Sequence, residues 1–229
     1  MTARTYGDTA QRSGTSSPAT EPPRPMMRGV LHLCVAVVAP LGMVLLLLLA
    51  DSPKGYAGAA IFGTSLLLLY ASSANYHLAP WPDRLDRIWK RVDHSMIFVL
   101  IAGTYTPFCL VVLDNAWGIP MLSVVWSLAG AGALLKIVWP DAPRSLGVGL
   151  YVALGWIGII PAAQVVGSLA LPALLLLMLG GLFYTVGGII YARRRPDPWP
   201  RVFGYHEVFH TLVILGSAIH FSVVAVWIM

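Results

Sequence analysis

Long apolar runs alternate with short polar stretches along most of this chain. Seven of the runs come close to or exceed the roughly 20 residues that an α-helix needs to cross a bilayer. They lie at residues 29–50, 56–78, 94–113, 118–138, 147–167, 170–191 and 206–228. Because the polar stretches between them are short, successive helices are predicted to run antiparallel, with no room for a second folded domain. The pattern predicts an all-α integral membrane protein, a seven-transmembrane helix bundle over residues 26–229.

The first 25 residues have a different composition. Residues 1–25 are rich in Ser, Thr, Pro and Arg and contain no apolar run. A segment of this kind cannot bury a core, so we expect it to be a disordered cytoplasmic tail. It does not have the pattern of a signal peptide, because no apolar segment follows its basic residues at the required distance.

The charged residues indicate how the helices are oriented. The chain is 57% hydrophobic and only 11% charged, whereas a soluble domain has about 25% charged residues. If the N-terminus is inside, 14 of the 15 Lys and Arg residues fall in inner segments and only Lys54 falls outside. This asymmetry predicts a cytoplasmic N-terminus and an external C-terminus. The net charge of +5 is therefore explained by topology, and no nucleic-acid partner is predicted.

Prolines, glycines and cysteines inside the apolar runs predict local features of the helices. Pro107 and Pro161 should weaken the third and fifth helices, because proline removes a backbone hydrogen bond. The glycine pairs at 180–181 and 187–188 should let the sixth helix approach a neighbour closely. Cys34 and Cys109 both lie in apolar segments and are predicted to be buried packing residues.

The most informative polar residues are histidines in the apolar segments. His206 and His210 are four residues apart, so their imidazoles share one face of the last helix, as a metal site requires. Ionisable side chains are costly within a bilayer and usually have a function there. In the predicted topology His77 ends the second helix and Asp93 begins the third at the same membrane depth. The sequence therefore predicts a buried zinc site near the inner face.

Three imidazoles would leave one position of a tetrahedral Zn²⁺ open, as in catalytic zinc sites. A water molecule in that position has its pKa lowered to about 7 and becomes a nucleophile. Asp93 is a candidate ligand, a candidate base that orients this water, or a cap of the third helix. Ser73, one turn before His77, is a candidate hydrogen-bond donor to the water or to an oxyanion, or a serine bonded to its own helix.

The stretch from His206 to His210 also matches the His-Glu-x-x-His zincin pattern, in which Glu207 would be the general base. This short match is weak evidence, because no acidic ligand follows His210. Glu207 points about 100° away from His206 on the helix, towards the edge of the site or a neighbouring loop.

Three further histidines have separate interpretations. His32, near the start of the first helix, is predicted to be a membrane-interface residue. His94 is left without a role, since it lies on a different helix face from Asp93. His220 lies about 21 Å along the last helix from His206, which is too far for it to bind the same metal.

Four stretches carry a resemblance to a known family: Ser73–His77, Arg91–Ser95, Ala102–Phe108 and Gly204–His210. The chain resembles hemolysin III proteins, the bacterial branch of the progestin and adipoQ receptor (PAQR) family, in the wider superfamily that includes alkaline ceramidases. The resemblance covers roughly residues 28–229. It implies a seven-helix bundle in the bacterial cytoplasmic membrane, with an intramembrane zinc near the cytoplasmic face. It also implies that the zinc ligands are His77, His206 and His210, and that Asp93 and Ser73 handle the water.

Three classes of function are compatible with these features. The first is a zinc-dependent, ceramidase-like hydrolase that cleaves an amide or ester bond of a membrane lipid. The second is a pore-forming cytolysin or channel, for which Thr104, Tyr105, Thr106 and His220 offer some polarity in the bundle. The third is a non-catalytic membrane sensor or stress protein in which zinc is structural.

Overall fold

The computed structural model describes residues 25–114 and 116–229, so the predicted disordered tail lies almost entirely outside the described residues. The described chain folds into α-helices joined by short loops. They are α1 (Val30–Leu49), α2 (Pro53–Leu78), α3 (Asp83–Pro107), α4 (Gly118–Val138), α5 (Arg144–Trp156), α6 (Ala162–Ser168), α7 (Leu171–Arg193) and α8 (Tyr205–Trp227).

Within the described residues, six helices are long and apolar enough to cross a membrane. A seventh span is formed if the bent pair Arg144–Ile159 and Ala162–Ser168 is counted as one. The predicted helical membrane bundle is therefore confirmed, although its fifth span is not one continuous helix.

The fifth span breaks just before Pro161, where the sequence predicted a weakened helix. A 3-10 turn, Ile157–Ile159, separates α5 from α6, and the two parts are bent by 58°. The hydroxyl of Tyr105 donates to the Gly155 carbonyl oxygen at 2.6 Å and accepts from the Gly158 N–H at 2.9 Å. Tyr105 thus satisfies backbone groups that the interrupted helix leaves free.

The third span begins earlier than predicted. The sequence placed it at 94–113, but α3 starts at Asp83 and continues through a π-helical turn, Phe108–Val112. The extra turns are polar and are invisible to a pattern that detects only the apolar layer. Asp83 and Asp86 in the first turn favour a helix start, because carboxylates stabilise the positive end of the helix dipole. The π turn directly after Pro107 confirms that proline disrupts this helix.

Apolar side chains form both the core and the outer surface of the bundle. Phe62 and Tyr70 of α2 are fully buried and belong to one core cluster with Val213 and Val223 of α8. On the outer face of α1, by contrast, Leu48 is 78% exposed, as expected for a surface covered by lipid. Because α1 is peripheral, Cys34 on it is exposed and only Cys109 is buried. The prediction of burial was therefore wrong for Cys34.

Glycines bring α7 and α8 together, as predicted. A Cβ atom at Gly180 would overlap the ring of His220, and one at Gly187 would lie 3.2 Å from Leu212. Helices in a bilayer associate through close backbone contact of this kind.

Candidate metal centre

Three histidines from two helices converge at the end of the bundle where α2 finishes and α8 begins. Their candidate ligand nitrogens, from His77, His206 and His210, all lie within 4.8 Å of one another. The ring centroids of His206 and His210 are 4.5 Å apart, and that of His77 is 4.8 Å from His206. The structure thus brings together the three imidazoles that the sequence selected.

The start of α8 is fixed by hydrogen bonds and an ion pair, which set the position of its two histidines. The fully buried carboxylate of Glu207 accepts the Gly204 N–H at 2.8 Å and forms an ion pair with Arg28. Asp197 accepts the Tyr205 N–H, also at 2.8 Å. Carboxylates at these first amides satisfy donors that a helix N-terminus leaves unpaired. Glu207 therefore faces the neighbouring segments, and the zincin interpretation has no geometric support.

His77 is positioned by close contact with the segment that precedes α1. Gly29 adopts a left-handed backbone conformation with φ of 83°, which glycine reaches without strain. A Cβ atom at this position would lie only 2.7 Å from the Cβ of His77. The absence of a side chain at Gly29 lets the N-terminal segment lie directly against the histidine.

Asp93 and Ser73 lie beside this cluster and interact with each other. Asp93 is 8% exposed and lies eleven positions into α3, so it does not cap that helix, contrary to one interpretation of the sequence. The buried hydroxyl of Ser73 lies close enough to interact with this carboxylate, and both side chains line the same cavity. The Asp93 carboxylate is not among the ligand atoms that come together with the three imidazoles. This arrangement favours a role beside a metal over a role as its ligand.

His32 is a fourth histidine of the site, which the sequence analysis placed at the membrane interface. It is only 3% exposed, and its ring stacks on that of His210 with centroids 3.7 Å apart and planes 15° apart. Tyr70 packs edge-on against His32, with ring centroids 4.9 Å apart. The interface prediction was wrong because α1 packs against α8 at this depth. One sequence signal could have placed His32 in the site: its predicted membrane depth is the same as that of His206.

The two remaining histidines do not belong to the cluster. The ring of His94 has Nδ1 2.6 Å from the Lys90 carbonyl oxygen and Nε2 3.4 Å from the Tyr191 hydroxyl. His220 has its Nε2 3.1 Å from the Leu177 carbonyl oxygen, farther along the bundle. The sequence predicted that His220 is too far from His206 to bind the same metal, and its position outside the three-histidine cluster agrees with this.

An apolar cavity of about 380 Å³ leads away from the cluster between α3, α5, α7 and α8. Ser73, Asp93 and His210 line its polar end. The rest of its wall is mainly apolar, and includes Leu100, Val148, Val152, Leu174, Leu177 and Met178. Its volume and lining suit the hydrocarbon part of a small amphiphile.

A second cavity, of about 460 Å³, lies on the other side of the cluster, and we call it the basic vestibule. Its charged lining consists of Arg28, Lys90, Lys136, Arg144, Arg194 and Asp141. His77 also lines the vestibule, whereas His94, Tyr151, Tyr191 and His206 line both cavities. The histidine cluster therefore lies where an apolar cavity and a cationic one meet.

Comparison with known proteins agrees with this fold. The sequence model of a family described as "Haemolysin-III related" matches residues 20–221. The "Hemolysin-3 homolog" of Bacillus subtilis (strain 168) is 40% identical over 161 residues, which cover 70% of this chain and 72% of that protein. "Hemolysin-3" of Bacillus cereus is 29% identical over 199 residues, covering 85% and 88%. An "Adiponectin receptor protein" of Drosophila melanogaster is 28% identical over 179 residues, covering 71% of this chain and 40% of the receptor.

Proposed function

Because this chain belongs to the haemolysin III family of multi-pass membrane proteins, within the PAQR group, we propose that it is a zinc-dependent hydrolase of a lipid amide or ester. One observation carries the proposal. Three imidazoles converge where the apolar cavity meets the basic vestibule, and Asp93 and Ser73 lie on the wall of the apolar cavity.

The donor set fits zinc. Imidazole nitrogen is a ligand that Zn²⁺ favours, whereas Mg²⁺ and Ca²⁺ prefer oxygen ligands. The cluster of His77, His206 and His210 supplies three nitrogens and no carboxylate oxygen. A three-histidine set leaves a fourth position for a water molecule or substrate, which distinguishes catalytic zinc sites from closed structural ones.

When bound there, zinc would polarise the substrate carbonyl and lower the pKa of a water molecule to about 7. The residues of the chain would do the rest. Asp93 accepts one proton as the water oxygen bonds to the carbonyl carbon, and Ser73 donates a hydrogen bond that keeps the carboxylate in place. Asp93 then returns the proton to the amine or alcohol as the carbon–nitrogen or carbon–oxygen bond breaks.

The apolar cavity supports a lipid substrate in preference to a soluble one. A chain lying along Leu100, Val152 and Leu177 would bury hydrocarbon and exclude bulk water from the carbonyl. The reacting bond would then lie beside the imidazoles, at the boundary between the apolar and polar cavities.

A second candidate function is a structural clamp in a sensor or stress protein. His77 belongs to α2, and both other histidines belong to α8. A bound zinc would therefore tie the end of α2 to the start of α8. This structural role does not require an open fourth coordination position on the zinc.

The first experiment is metal analysis of the purified protein beside the double variant His206→Ala/His210→Ala. We expect about one zinc per chain in the wild type and loss of zinc in the variant. Wild-type protein without zinc, purified without chelators, would overturn both the hydrolase and the clamp.

The second experiment separates these two functions. Wild-type protein, Asp93→Asn and the exposed control Asp114→Asn are screened for release of fatty acid from lipid amides and esters. We expect turnover in the wild type and the control, and a fall of about 100-fold or more in Asp93→Asn with zinc retained. Zinc without turnover on any lipid would favour the clamp, and equal turnover in Asp93→Asn would refute the role of this carboxylate.

A further inference from the structure

The basic vestibule has an excess of positive charge that topology alone does not explain. Five cationic side chains line it, and the single carboxylate in the lining is that of Asp141. Asp141 pairs with Lys90 across 3.4 Å at an exposed position, and Arg28 pairs with Glu207. Lys136, Arg144 and Arg194 have no carboxylate partner among the residues that the structure describes.

Lys136 is the most informative of these cations. It is only 6% exposed, near the end of α4. A Cβ atom at Gly147 would lie 2.6 Å from its Nζ, so α5 packs closely around the ammonium group. The centroid of the Tyr151 ring lies 6.0 Å from Nζ, and no carboxylate of the described residues pairs with this ammonium group. An ammonium group that lines a cavity and has no carboxylate beside it is available to pair with an anion that enters the cavity.

Tyrosines and a second cation complete the same wall. The guanidinium of Arg144 donates to the Tyr205 hydroxyl at 3.2 Å and lies 5.5 Å from the Tyr191 ring centroid. These contacts hold the group in place but leave its positive charge unneutralised. Tyr151 and Tyr191 continue from this wall into the apolar cavity.

We propose that the basic vestibule binds a phosphate group, with Lys136 and Arg144 as its principal cationic ligands. Guanidinium and ammonium groups together recognise phosphate through charge-assisted hydrogen bonds. The phosphate can come from a lipid head group or from the free anion. The wall shared by the two cavities favours the lipid, whose hydrocarbon part would pass the histidine cluster into the apolar cavity. The link to a substrate rests on the proposed function, but binding is measurable without turnover.

The test measures binding by the purified full-length protein in an uncharged detergent, using calorimetry. The probes are dihexanoyl phosphatidic acid, inorganic phosphate and dihexanoylglycerol, the last having the same chains without the phosphate. The proteins are wild type, Lys136→Gln, Arg144→Gln and Lys54→Gln. Lys54 is the matched control, because it is an exposed cation paired with Asp114 away from the vestibule.

We expect phosphatidic acid to bind at least about tenfold more tightly than dihexanoylglycerol, and each vestibule variant to lose about tenfold or more of that affinity. Lys54→Gln should bind as the wild type does. Competition by inorganic phosphate at comparable concentration would identify the free anion as the source, and its failure to compete would identify the lipid; both results support the site.

Equal binding of the neutral and anionic lipids would overturn the proposal. So would unchanged phosphatidic acid binding in Arg144→Gln, an exposed substitution that keeps the test valid if Lys136→Gln fails to fold. Phosphate binding in a protein that hydrolyses no lipid would refute the proposed function while leaving this site intact. Lipid hydrolysis by a protein that shows no preference for phosphate would support the proposed function and refute the phosphate site.

Discussion

The imidazole of His32 lies flat against that of His210, with ring centroids 3.7 Å apart and planes 15° apart. Neither ring nitrogen of His32 has a partner at hydrogen-bond distance among the described residues. His32 thus supports the His210 ring by packing and does not belong to the three-nitrogen group. The first helix thereby fixes the orientation of a candidate ligand on the last.

From this contact we predict that His32→Ala weakens zinc binding by about tenfold or more, because residues that orient a ligand typically contribute this much. The measurement is competition for zinc with a calibrated chelator. His32→Phe is the matched variant, since it keeps a flat ring against His210 and should restore most of the affinity. Unaltered zinc affinity in His32→Ala would show that the stack has no supporting role.

Gly29 gives a second prediction, which concerns the other side of the cluster. Gly29→Ala places a Cβ atom 2.7 Å from that of His77 and forces alanine to adopt a φ of 83°. We expect a loss of about 1–3 kcal/mol in the free energy of unfolding, together with weaker zinc binding. Thermal unfolding in detergent and the same zinc competition provide the measurements.

The control for this prediction is Gly130→Ala. Gly130 lies within α4, and an added Cβ would meet nothing within 4 Å. Alanine there should be neutral or stabilising by up to about 1 kcal/mol, because glycine is unfavourable inside a helix. Equal effects of the two substitutions would mean that contact with His77 is not what makes Gly29 necessary.

The sequence predicted the parts of this structure that depend on local composition. Hydropathy located the spans, and the alternation of helices across the bilayer correctly grouped His77 with His206 and His210. The early start of α3 at Asp83 was missed because polar helical turns outside the apolar layer have no hydropathy signal.

Features that arise from packing between distant segments were less accessible. His32 meets His210 only because α1 lies against α8, and a single sequence does not specify which helices are neighbours. The vestibule likewise joins Arg28, Lys136 and Arg144 from three separate parts of the chain. Each of these cations was explained individually by the positive-inside rule, so their convergence was not predicted.

The ion pair between Glu207 and Arg28 gives a third prediction. Its side chains are only 1% and 16% exposed. Glu207→Gln leaves the guanidinium without its counter-ion, which typically costs about 3–5 kcal/mol in a buried pair. Asp114→Asn breaks the exposed pair with Lys54, whose side chain is 52% exposed, and should cost about 0–1 kcal/mol.

The same variant tests the zincin interpretation. Because Glu207 faces Gly204 and Arg28, we expect folded Glu207→Gln to keep its turnover per zinc-loaded molecule, even if its zinc affinity falls with the loss of the ion pair. Stability comes from chemical unfolding in detergent, and turnover from the fatty-acid release assay. A variant as stable as wild type but inactive would instead make Glu207 the catalytic base.

The fourth prediction concerns orientation. With 14 of the 15 basic residues in segments predicted to be inner, the N-terminus should be cytoplasmic and the C-terminus external. Alkaline phosphatase fused after Met229 should be active, whereas a green fluorescent protein fused there should stay dark. The reciprocal pair fused after Pro140 serves as the control and should give the opposite result. Fluorescence from the green fluorescent protein fused after Met229 would contradict the predicted orientation and place the C-terminus in the cytoplasm.

The fifth prediction addresses the pore-forming alternative. The hydroxyls proposed to supply a polar path are bonded to backbone carbonyls: Thr104 and Thr106 to the preceding turn of α3, and Tyr105 to the broken fifth span. His220 likewise lies 3.1 Å from the Leu177 carbonyl oxygen. Groups occupied in this way do not offer ions a replacement for their hydration shell.

We therefore expect purified protein in liposomes to release no trapped dye, with a pore-forming peptide as positive control. Leakage that rises with protein content, and is equal in the zinc-free double variant, would favour a channel and count against the hydrolase.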